Sequence, residues 1–278
     1  MSAMEEKVKM LTEQGRAFVS RWELTDPDLE NYETDQELKR PQPPLTKGPM
    51  TEQSIELPKD FSGLRSGMDF LDIVNARESH RVYTGEAMDL TELSYLLWCT
   101  QGVKEIRGKA YATLRTVPCG GARHEFECYF AARNVDGLEP GLYHYLPMHH
   151  RIEFLGCPEE LDGFVRDSLC GQAWAAMANV VFYYSAVFYR AEWRYGVTTH
   201  RVLLIDAGHI TENMYLAATS IGLGGCAIGA VDGKLTDIAF GLDGVEEASF
   251  YAMPVGKVSV KDKKKEKAFY AFVDEQGL

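Results

Sequence analysis

Residues 200–221, HRVLLIDAGHITENMYLAATSI, and the run that follows them, GLGGCAIGAVD at 222–232, decide the fold of this chain. Apolar residues recur in the first segment at spacings of three and four, which predicts a helix with one apolar stripe. The stripe consists of Leu203, Ala207, Ile210, Met214, Ala217 and Ile221. Gly222 is expected to end the helix by taking the left-handed conformation, which glycine adopts readily.

Further apolar or small residues lie on the other sides of this predicted helix. They are Leu204, Ile205, Gly208 and Leu216. A helix that is apolar around much of its circumference is expected to lie between layers of a fold or between subunits. A glycine inside a helix costs about 1 kcal/mol relative to alanine, and close packing against another backbone would explain Gly208.

The run 222–232 is small, apolar and rich in glycine. This composition predicts a buried strand beside a group that approaches its backbone closely. Its letters also match G-x-G-x-x-A, but the dinucleotide fingerprint has to follow a strand and open a helix. Here a helix precedes the glycines and a strand is predicted at them, so the sequence argues against a Rossmann site.

The composition favours a folded protein that binds neither nucleic acid nor membranes. With 45% hydrophobic residues the 278-residue chain can bury a substantial core, and its net charge of −12 argues against nonspecific nucleic-acid binding. No apolar run approaches the ~20 residues of a membrane span, and the first residues lack signal-peptide character. The six cysteines form no CxxC pair, which favours reduced thiols in a cytoplasm.

The first 60 residues are expected to form a helix and an extended arm. Four apolar residues share one face of the predicted helix at 5–23: Val8, Leu11, Phe18 and Trp22. Residues 26–60 contain six prolines among polar residues and show no periodicity, which predicts an arm lying over the main body. The body is expected to begin near Phe61.

Helices and hairpins are both predicted in the body, which favours an α+β fold over a doubly wound sheet. Helices are predicted at 69–77, 89–102, 159–169 and 234–240. Strands are predicted at 126–132, 141–145, 152–155, 180–188 and 249–255. Asp89 and Glu92 have the spacing of a capping box. The basic stretch 103–118 is expected to be irregular.

Two short motifs carry candidate chemistry. In Arg77-Glu-Ser-His-Arg-Val-Tyr83, two arginines and a serine follow a predicted helix and can bind phosphate; a solvated helix end is the alternative. In the glycine-rich loop Thr116–His124, backbone N–H groups can contact a ligand; an ordinary turn is the alternative. Cys119 in that loop is interpreted as a buried small residue rather than a nucleophile. The histidines form no metal-binding pair, so no metal site is expected.

Together these segments resemble the nitroreductase-like FMN flavoprotein family. Arg77-x-Ser79-x-Arg81-x-Tyr83 is similar to the family's opening R-x-S-x-R-x-[FY] motif. PCGGARH at 118–124 is similar to the P-S-[AG]-G-A-R-H loop of the branch that contains the azoline dehydrogenases. The resemblance covers residues 65–257, with the hairpin at 137–145 and the segments 207–209 and 222–232 as further matches.

The resemblance implies a nitroreductase-like FMN-binding fold of the α+β class. In this fold a central, mostly antiparallel sheet is flanked by helices. The FMN-binding domain would span residues 61–278, and residues 1–60 would add the N-terminal helix and extended arm. The family further implies a homodimer with FMN at the subunit interface.

The resemblance also implies roles for individual residues. Arg77 would hold the FMN phosphate with a hydrogen bond added by Ser79, and Arg81 would face the pyrimidine edge of the flavin. The partner subunit would contribute Pro118, Cys119 and Gly120.

Three further positions complete the implied cofactor site. Gly229 and Ala230 would lie against the flavin, with a backbone N–H directed at N5. Lys257 is the candidate for the family's C-terminal basic phosphate contact, for which the sequence has no clear match.

The resemblance implies an FMN-dependent oxidoreductase that passes two electrons, with NAD(P)H as the donor, to a small organic acceptor. A flavin- or ligand-binding protein without turnover and an azoline dehydrogenase acting on a modified peptide are the alternatives. Arg194 and Tyr195, the candidate catalytic residues, stand where the azoline dehydrogenases carry Lys-Tyr. A guanidinium stays charged and does not act as a base, so this substitution argues against azoline oxidation. A structural surface role for Arg194 is the other interpretation.

Overall fold

The computed structural model describes residues 3–20, 27–64, 67–259, 265–268 and 271–276. The strands are β1 Ile55–Glu56, β2 Val103–Arg107, β3 Ala112–Arg115, β4 Phe126–Ala132, β5 Gly141–Leu146, β6 Arg151–Gly156, β7 Val180–Val187, β8 Leu223–Gly225 and β9 Glu247–Lys257. Seven of them form the central sheet in the order β1-β6-β5-β4-β7-β9-β8, and its neighbouring strands pair antiparallel. The predicted α+β class and the mostly antiparallel sheet are therefore confirmed.

Six of the helices in the described residues were predicted from the sequence, whereas those at Phe188–Tyr195 and Ala271–Gln276 were not. They are α1 Ala3–Ser20, α2 Phe70–Ala76, α3 Leu90–Gln101, α4 Leu161–Ser168, α5 Phe188–Tyr195, α6 Thr199–Ser220, α7 Gly233–Phe240 and α8 Ala271–Gln276. Asp89 caps α3 as predicted, because its carboxylate accepts from the backbone N–H of Glu92 at 2.9 Å and the Glu92 carboxylate accepts from that of Asp89. The predicted stripe of α6 is buried from Leu203 to Ala217, and Gly222 has a φ of +77°.

The expectation of a strand over the whole run 222–232 is wrong. Only Leu223–Gly225 pairs with β9, and Ile228 adds a single bridge to Ala252. The chain then turns into α7, because the Asp232 carboxylate caps that helix by accepting from the backbone N–H of Leu235 at 3.0 Å. Gly229 and Ala230 are consequently exposed instead of buried.

The stretch 103–118 is also more regular than expected. β2 and β3 form a separate two-stranded hairpin, in which Ile106 pairs with Thr113 and Arg107 with Ala112. β2 is almost entirely exposed, so its sequence lacks the apolar alternation that marks a half-buried strand.

Alternate residues of the central strands point into two cores. On β4, Phe126, Cys128 and Phe130 face the first core, which the stripe of α6 covers. Tyr129 and Ala131 face the second core, below α4 and α7. Side chains on a strand alternate between its two faces, so one sheet separates both cores.

The arm is tied to the sheet by buried ionic contacts. Lys47 reaches Glu247 at 2.7 Å with its ammonium group, and its backbone N–H donates to Glu127 at 2.7 Å. The backbone N–H groups of Met50 and Thr51 donate to Glu153. β1 of the arm pairs with β6 at the edge of the sheet.

His144 and Arg190 compensate the buried carboxylates of this region. Burial alone would lower the pKa of His144, but the carboxylates of Glu127 and Glu153 raise it above its ordinary value. Burial alone would raise the pKa of Glu127, but Arg190, which contacts it at 2.7 Å, and His144 lower it. These buried side chains therefore place positive and negative charges next to one another at the sheet.

The first helix forms as predicted, but its apolar face is uncovered in the single chain. Val8 and Leu11 are 57% and 52% exposed, and no described residue of α1 is buried. Trp22, the fourth residue of the predicted face, lies outside the described residues. None of the helices in the described residues combines the length and apolar character that crossing a membrane requires.

Candidate functional site

The segment after α2 is docked against the edge strand β8. The backbone N–H of His80 donates to the Gly225 carbonyl at 2.9 Å, and Ser79 forms a bridge with Gly225. A β-carbon at position 224 would overlap the His80 ring, so glycine is required there. The close approach that the glycine-rich run predicts is therefore made by His80.

Arg77 and Ser79 converge on Tyr215 of α6. The Arg77 guanidinium lies 5.4 Å from the centre of the Tyr215 ring, and the Ser79 hydroxyl is 3.3 Å from the Tyr215 hydroxyl. The backbone N–H of Ala227 donates to that hydroxyl at 2.8 Å. We call Arg77, Ser79, Tyr215 and Ala227 the Arg77 cluster. It gathers a guanidinium and two hydroxyls at one surface, a donor set suited to phosphate.

Arg81 and Lys257 lie near the Arg77 cluster, but their side chains contact residues outside it. Arg81 lies over the Trp174 ring at 5.8 Å, and the backbone N–H of Val82 donates to Glu266 at 2.6 Å. The Lys257 ammonium pairs with Glu92 at the start of α3, at 3.3 Å. Lys257 is adjacent in the fold to the predicted phosphate-binding segment, but its ammonium points to a carboxylate.

The loop after β3 joins α6 through a second cluster. The Cys119 thiol donates to Glu125 at 3.2 Å, and the backbone N–H of Gly120 donates to Asp206 at 2.8 Å. We call these four residues the Cys119 cluster; Pro118 beside them is exposed. Burial raises the pKa of the Cys119 thiol, which therefore is protonated and not a nucleophilic thiolate. Burial and the neighbouring Asp206 raise the pKa of Glu125 to about 7.

Arg194 and Tyr195 at the end of α5 pack on this same loop. A β-carbon at Gly120 would lie 3.3 Å from both Tyr195 Cε2 and Asp206 Oδ2. Arg194 donates to the Tyr111 hydroxyl at 2.9 Å and to Gln36 of the arm at 3.1 Å. Burial works against the charged form of Arg194, but its contacts with Tyr195 and Tyr111 raise its pKa, so it remains a cation.

The predicted site residues thus fall into two groups, which contact α6 at different positions along its axis. Tyr215 anchors the Arg77 cluster and Asp206 the Cys119 cluster; the two residues are nine positions apart, which is about 14 Å along the helix. Gly229 and Ala230 follow Ala227 and belong to the first group by chain position. Arg194 and Tyr195 belong to the second. A single chain therefore does not bring all predicted cofactor residues together.

Sequence reasoning missed two polar residues of α6 that belong to these clusters and two polar residues that contact Arg194. Tyr215 and Asp206 lie on α6 among apolar residues, where only their polarity distinguishes them. Tyr111 and Gln36 come from segments predicted to be irregular, and they meet Arg194 only in the folded chain. No local pattern contains these distant contacts.

An apolar groove of about 320 Å³ opens between α2, α3 and α6. Its lining includes Phe70, Ile73, Trp98 and Leu216. Phe70 is 70% exposed in the single chain, and on α6 Leu204 and Ile205 are 53% and 58% exposed. A β-carbon at Gly208 would meet no atom within 4 Å, so in the single chain nothing packs against this glycine.

Comparison with known proteins agrees with this architecture. The family model described as the nitroreductase family matches residues 74–257. A nitroreductase-like protein of Methanocaldococcus jannaschii, MJ1384, is 33% identical over 187 residues, which is 67% of this chain and 89% of that protein. The trifolitoxin-processing protein TfxB of Rhizobium leguminosarum bv. trifolii is 29% identical over 145 residues; the match spans 51% of this chain and 39% of TfxB.

Solved structures share the fold over most of the chain. A nitroreductase-like protein from Ralstonia eutropha superposes with a TM-score of 0.61 at 25% identity, covering 79% of this chain and 94% of that one. A chain of the Escherichia coli microcin synthetase McbBCD complex superposes with a TM-score of 0.55 at 17% identity, covering 93% and 98%. Since the family model spans most of the chain and the fold agrees, this protein is a member of the nitroreductase family of oxidoreductases.

Proposed function

We propose that this chain is an FMN-dependent oxidoreductase that passes two electrons from NAD(P)H to a small organic acceptor. The observation that carries the proposal is the Arg77 cluster. Arg77 is half-buried and lies over the Tyr215 ring, and within the described residues its guanidinium pairs with no carboxylate. Its donors therefore remain available to an anion, and the Ser79 hydroxyl beside them adds another.

The residues of this chain fit the FMN group in three ways. Arg77 and Ser79 would bind the phosphate, Arg81 would place a positive charge at the pyrimidine edge, and the exposed backbone at 229–230 would lie along the ring. When bound, FMN supplies the electron-transfer chemistry, and the protein positions and tunes it. A cation near the edge where negative charge develops lowers the free energy of the reduced state.

The simplest test is a visible spectrum of the purified protein, followed by anaerobic addition of NADH or NADPH. We expect flavin absorption that survives gel filtration and bleaches rapidly with one of the two donors. A purified protein that neither carries nor takes up FMN would refute the proposal. A bound flavin that resists both donors would favour the alternative, a flavin-binding protein without turnover.

We further propose that the active unit is a homodimer with FMN between the subunits. The separation of the Arg77 and Cys119 clusters along α6 supports this, because one chain offers only part of the predicted cofactor contacts at each place. The exposed apolar residues of α2 and α6 support it as well. Large apolar surfaces on a single chain commonly mark an interface with another chain.

The dimer predicts a mass in light scattering of about twice the 31.2 kDa of one chain. Ile205→Glu is expected to yield monomers that lose FMN, since it introduces a charge into the exposed apolar face of α6. Ile238→Glu is the matched control, because Ile238 is 69% exposed on α7, away from that face. A wild-type monomer that retains flavin would contradict the proposal.

A second candidate function, oxidation of azolines in a modified peptide, is favoured by the similarity to the trifolitoxin-processing protein TfxB. The contacts of Arg194 argue against it. Arg194 is held by Tyr111 and Gln36 and its pKa is raised, so it offers no base for removing a proton from a substrate carbon. A fixed cation at that place would instead stabilise negative charge that develops on an acceptor.

We therefore expect wild-type protein to reduce a quinone or nitroaromatic but not to oxidise an azoline peptide. Arg194→Ala is expected to lower acceptor reduction by at least about tenfold, as the loss of one electrostatic contact to a transition state does. Arg194→Lys retains the charge and should retain part of the activity. Efficient azoline oxidation by the wild type would overturn this assignment, and unchanged kinetics in both variants would make Arg194 a structural residue.

A further inference from the structure

The Cys119 cluster has the composition of a metal site. Cys119, Glu125 and Asp206 each offer one ligand atom, and the three atoms lie within 4.8 Å of one another. We propose that these three side chains bind a divalent transition-metal ion of the zinc type. Zn²⁺ would displace the proton of the Cys119 thiol, and the resulting thiolate with two carboxylate oxygens is a donor set that Zn²⁺ accepts; a water molecule would complete its tetrahedron.

The buried charge in this cluster supports the proposal. Glu125 is fully buried and Asp206 is 2% exposed. Within the part of the chain that the structure describes, His209 is the one basic side chain within ion-pair distance of either carboxylate. Two adjacent buried carboxylates need a compensating cation or a shared proton, because an unpaired buried charge is costly.

The Glu125 carboxylate has a hydrogen-bond partner at only one of its two oxygens, Oε2, which accepts from Cys119. Among the described residues, Glu125 Oε1 makes no hydrogen bond although it is buried. The nearby arginines have other partners, since Arg190 contacts Glu127 at 2.7 Å and Arg115 donates to Gln101 at 2.6 Å. A buried acceptor without a hydrogen-bond partner, beside a thiol and a second carboxylate, can coordinate a bound cation.

The surroundings of Asp206 resemble the supporting contacts of a metal ligand. The Gly120 N–H holds Asp206 Oδ2 at 2.8 Å, and His209 Nδ1 lies 3.2 Å from Asp206 Oδ1. Such partners fix the direction of a ligating carboxylate. Cys119 is half-buried, so an ion would reach the site from its side.

Zinc binding tests this inference separately from the flavin. The purified protein is treated with a chelator, dialysed against Zn²⁺ and analysed for metal, with its flavin content recorded in parallel. We expect one Zn²⁺ per chain. Co²⁺ added in place of Zn²⁺ should give a thiolate-to-metal absorption band in the difference spectrum against metal-free protein. The site does not include the Arg77 cluster, but Cys119 and Gly120 are also predicted flavin contacts. Zn²⁺ binding is therefore measured on flavin-free protein, where we expect it to be stoichiometric.

Three variants and two controls test which side chains bind the metal ion. Cys119→Ser should abolish the Co²⁺–thiolate band, and Glu125→Gln and Asp206→Asn should weaken Zn²⁺ binding at least about tenfold. Cys157→Ser and Cys170→Ser, at exposed cysteines, should leave both readouts unchanged. Circular dichroism checks that each variant is folded. Wild-type protein without stoichiometric Zn²⁺ would overturn the proposal and leave a shared proton as the compensation. A Co²⁺ band that persists in folded Cys119→Ser would also overturn it.

Discussion

Arg190→Met is expected to lower the free energy of unfolding by about 3–5 kcal/mol, since it removes the closer of the two cationic partners of a buried carboxylate. Arg190 is 4% exposed and contacts Glu127, itself 1% exposed, at 2.7 Å. The same guanidinium donates to the backbone carbonyl of His124 at 3.0 Å, next to the Cys119 cluster. Equilibrium urea denaturation followed by circular dichroism measures the change.

Arg133→Met is the matched control for this substitution. Arg133 pairs with Asp162 at 2.9 Å, but the carboxylate side chain is 57% exposed. A surface pair of this kind contributes about 0–1 kcal/mol. If Arg190→Met does not fold, the double variant Arg190→Met with Glu127→Gln should recover part of the stability, because it also removes the negative charge of Glu127. Equal losses for the two single variants would contradict the assignment.

Arg77→Ala is expected to weaken FMN binding about 10- to 100-fold, because a charge-assisted hydrogen bond contributes about 1.5–3 kcal/mol. The expectation follows from the proposed phosphate contact of the Arg77 cluster. Quenching of FMN fluorescence on titration with apoprotein gives the dissociation constant. Arg77→Lys retains the charge but not the planar fork, so its affinity should lie between those of wild type and Arg77→Ala.

Arg107→Ala provides the comparison for Arg77. Arg107 is exposed on β2, in the hairpin outside the central sheet, and its loss should leave FMN affinity unchanged. An Arg77→Ala protein that binds FMN like wild type would remove Arg77 from the phosphate site. Equal weakening in the two variants would indicate a nonspecific effect of net charge.

The elements predicted best are those whose signals are local and periodic. The stripe of α6 and the capping box at Asp89 each depend on residues within one or two helical turns. For such elements, side-chain spacing and hydrogen-bonding chemistry already specify the conformation. The left-handed end of α6 at Gly222 belongs to the same class.

The errors fall where distant partners decide the conformation. β2 is exposed and carries no apolar alternation, so only its pairing with β3 makes it a strand. The run 222–232 has strand-like composition throughout, but β9 pairs with only its first residues before Asp232 turns the chain into α7. Composition does not indicate where a partner strand ends.

Sequence motifs predicted which segments form the candidate site, but they did not predict how these segments are arranged in space. The sequence contains the Arg77 segment and the Cys119 loop, but it does not indicate that Tyr215 supports the first and Asp206 the second. Metal-ligand spacing is recognisable when ligands are close in sequence, as in a histidine pair on a helix. Cys119 and Asp206 are far apart in the chain, so the metal site proposed above has no such signature.

The contact between Lys47 and Glu247 also constrains how the protein is made. These residues are 200 positions apart, so Lys47 emerges from the ribosome long before Glu247 has been synthesised. Glu127 and Glu153 likewise receive arm N–H groups from about 80 and 102–103 positions upstream. Contacts at such long sequence separation slow folding, because a large loop must close before they form. The arm can therefore meet Glu127 and Glu153 before synthesis reaches β9, but the Lys47 ammonium group gains its carboxylate partner only after Glu247 has been made.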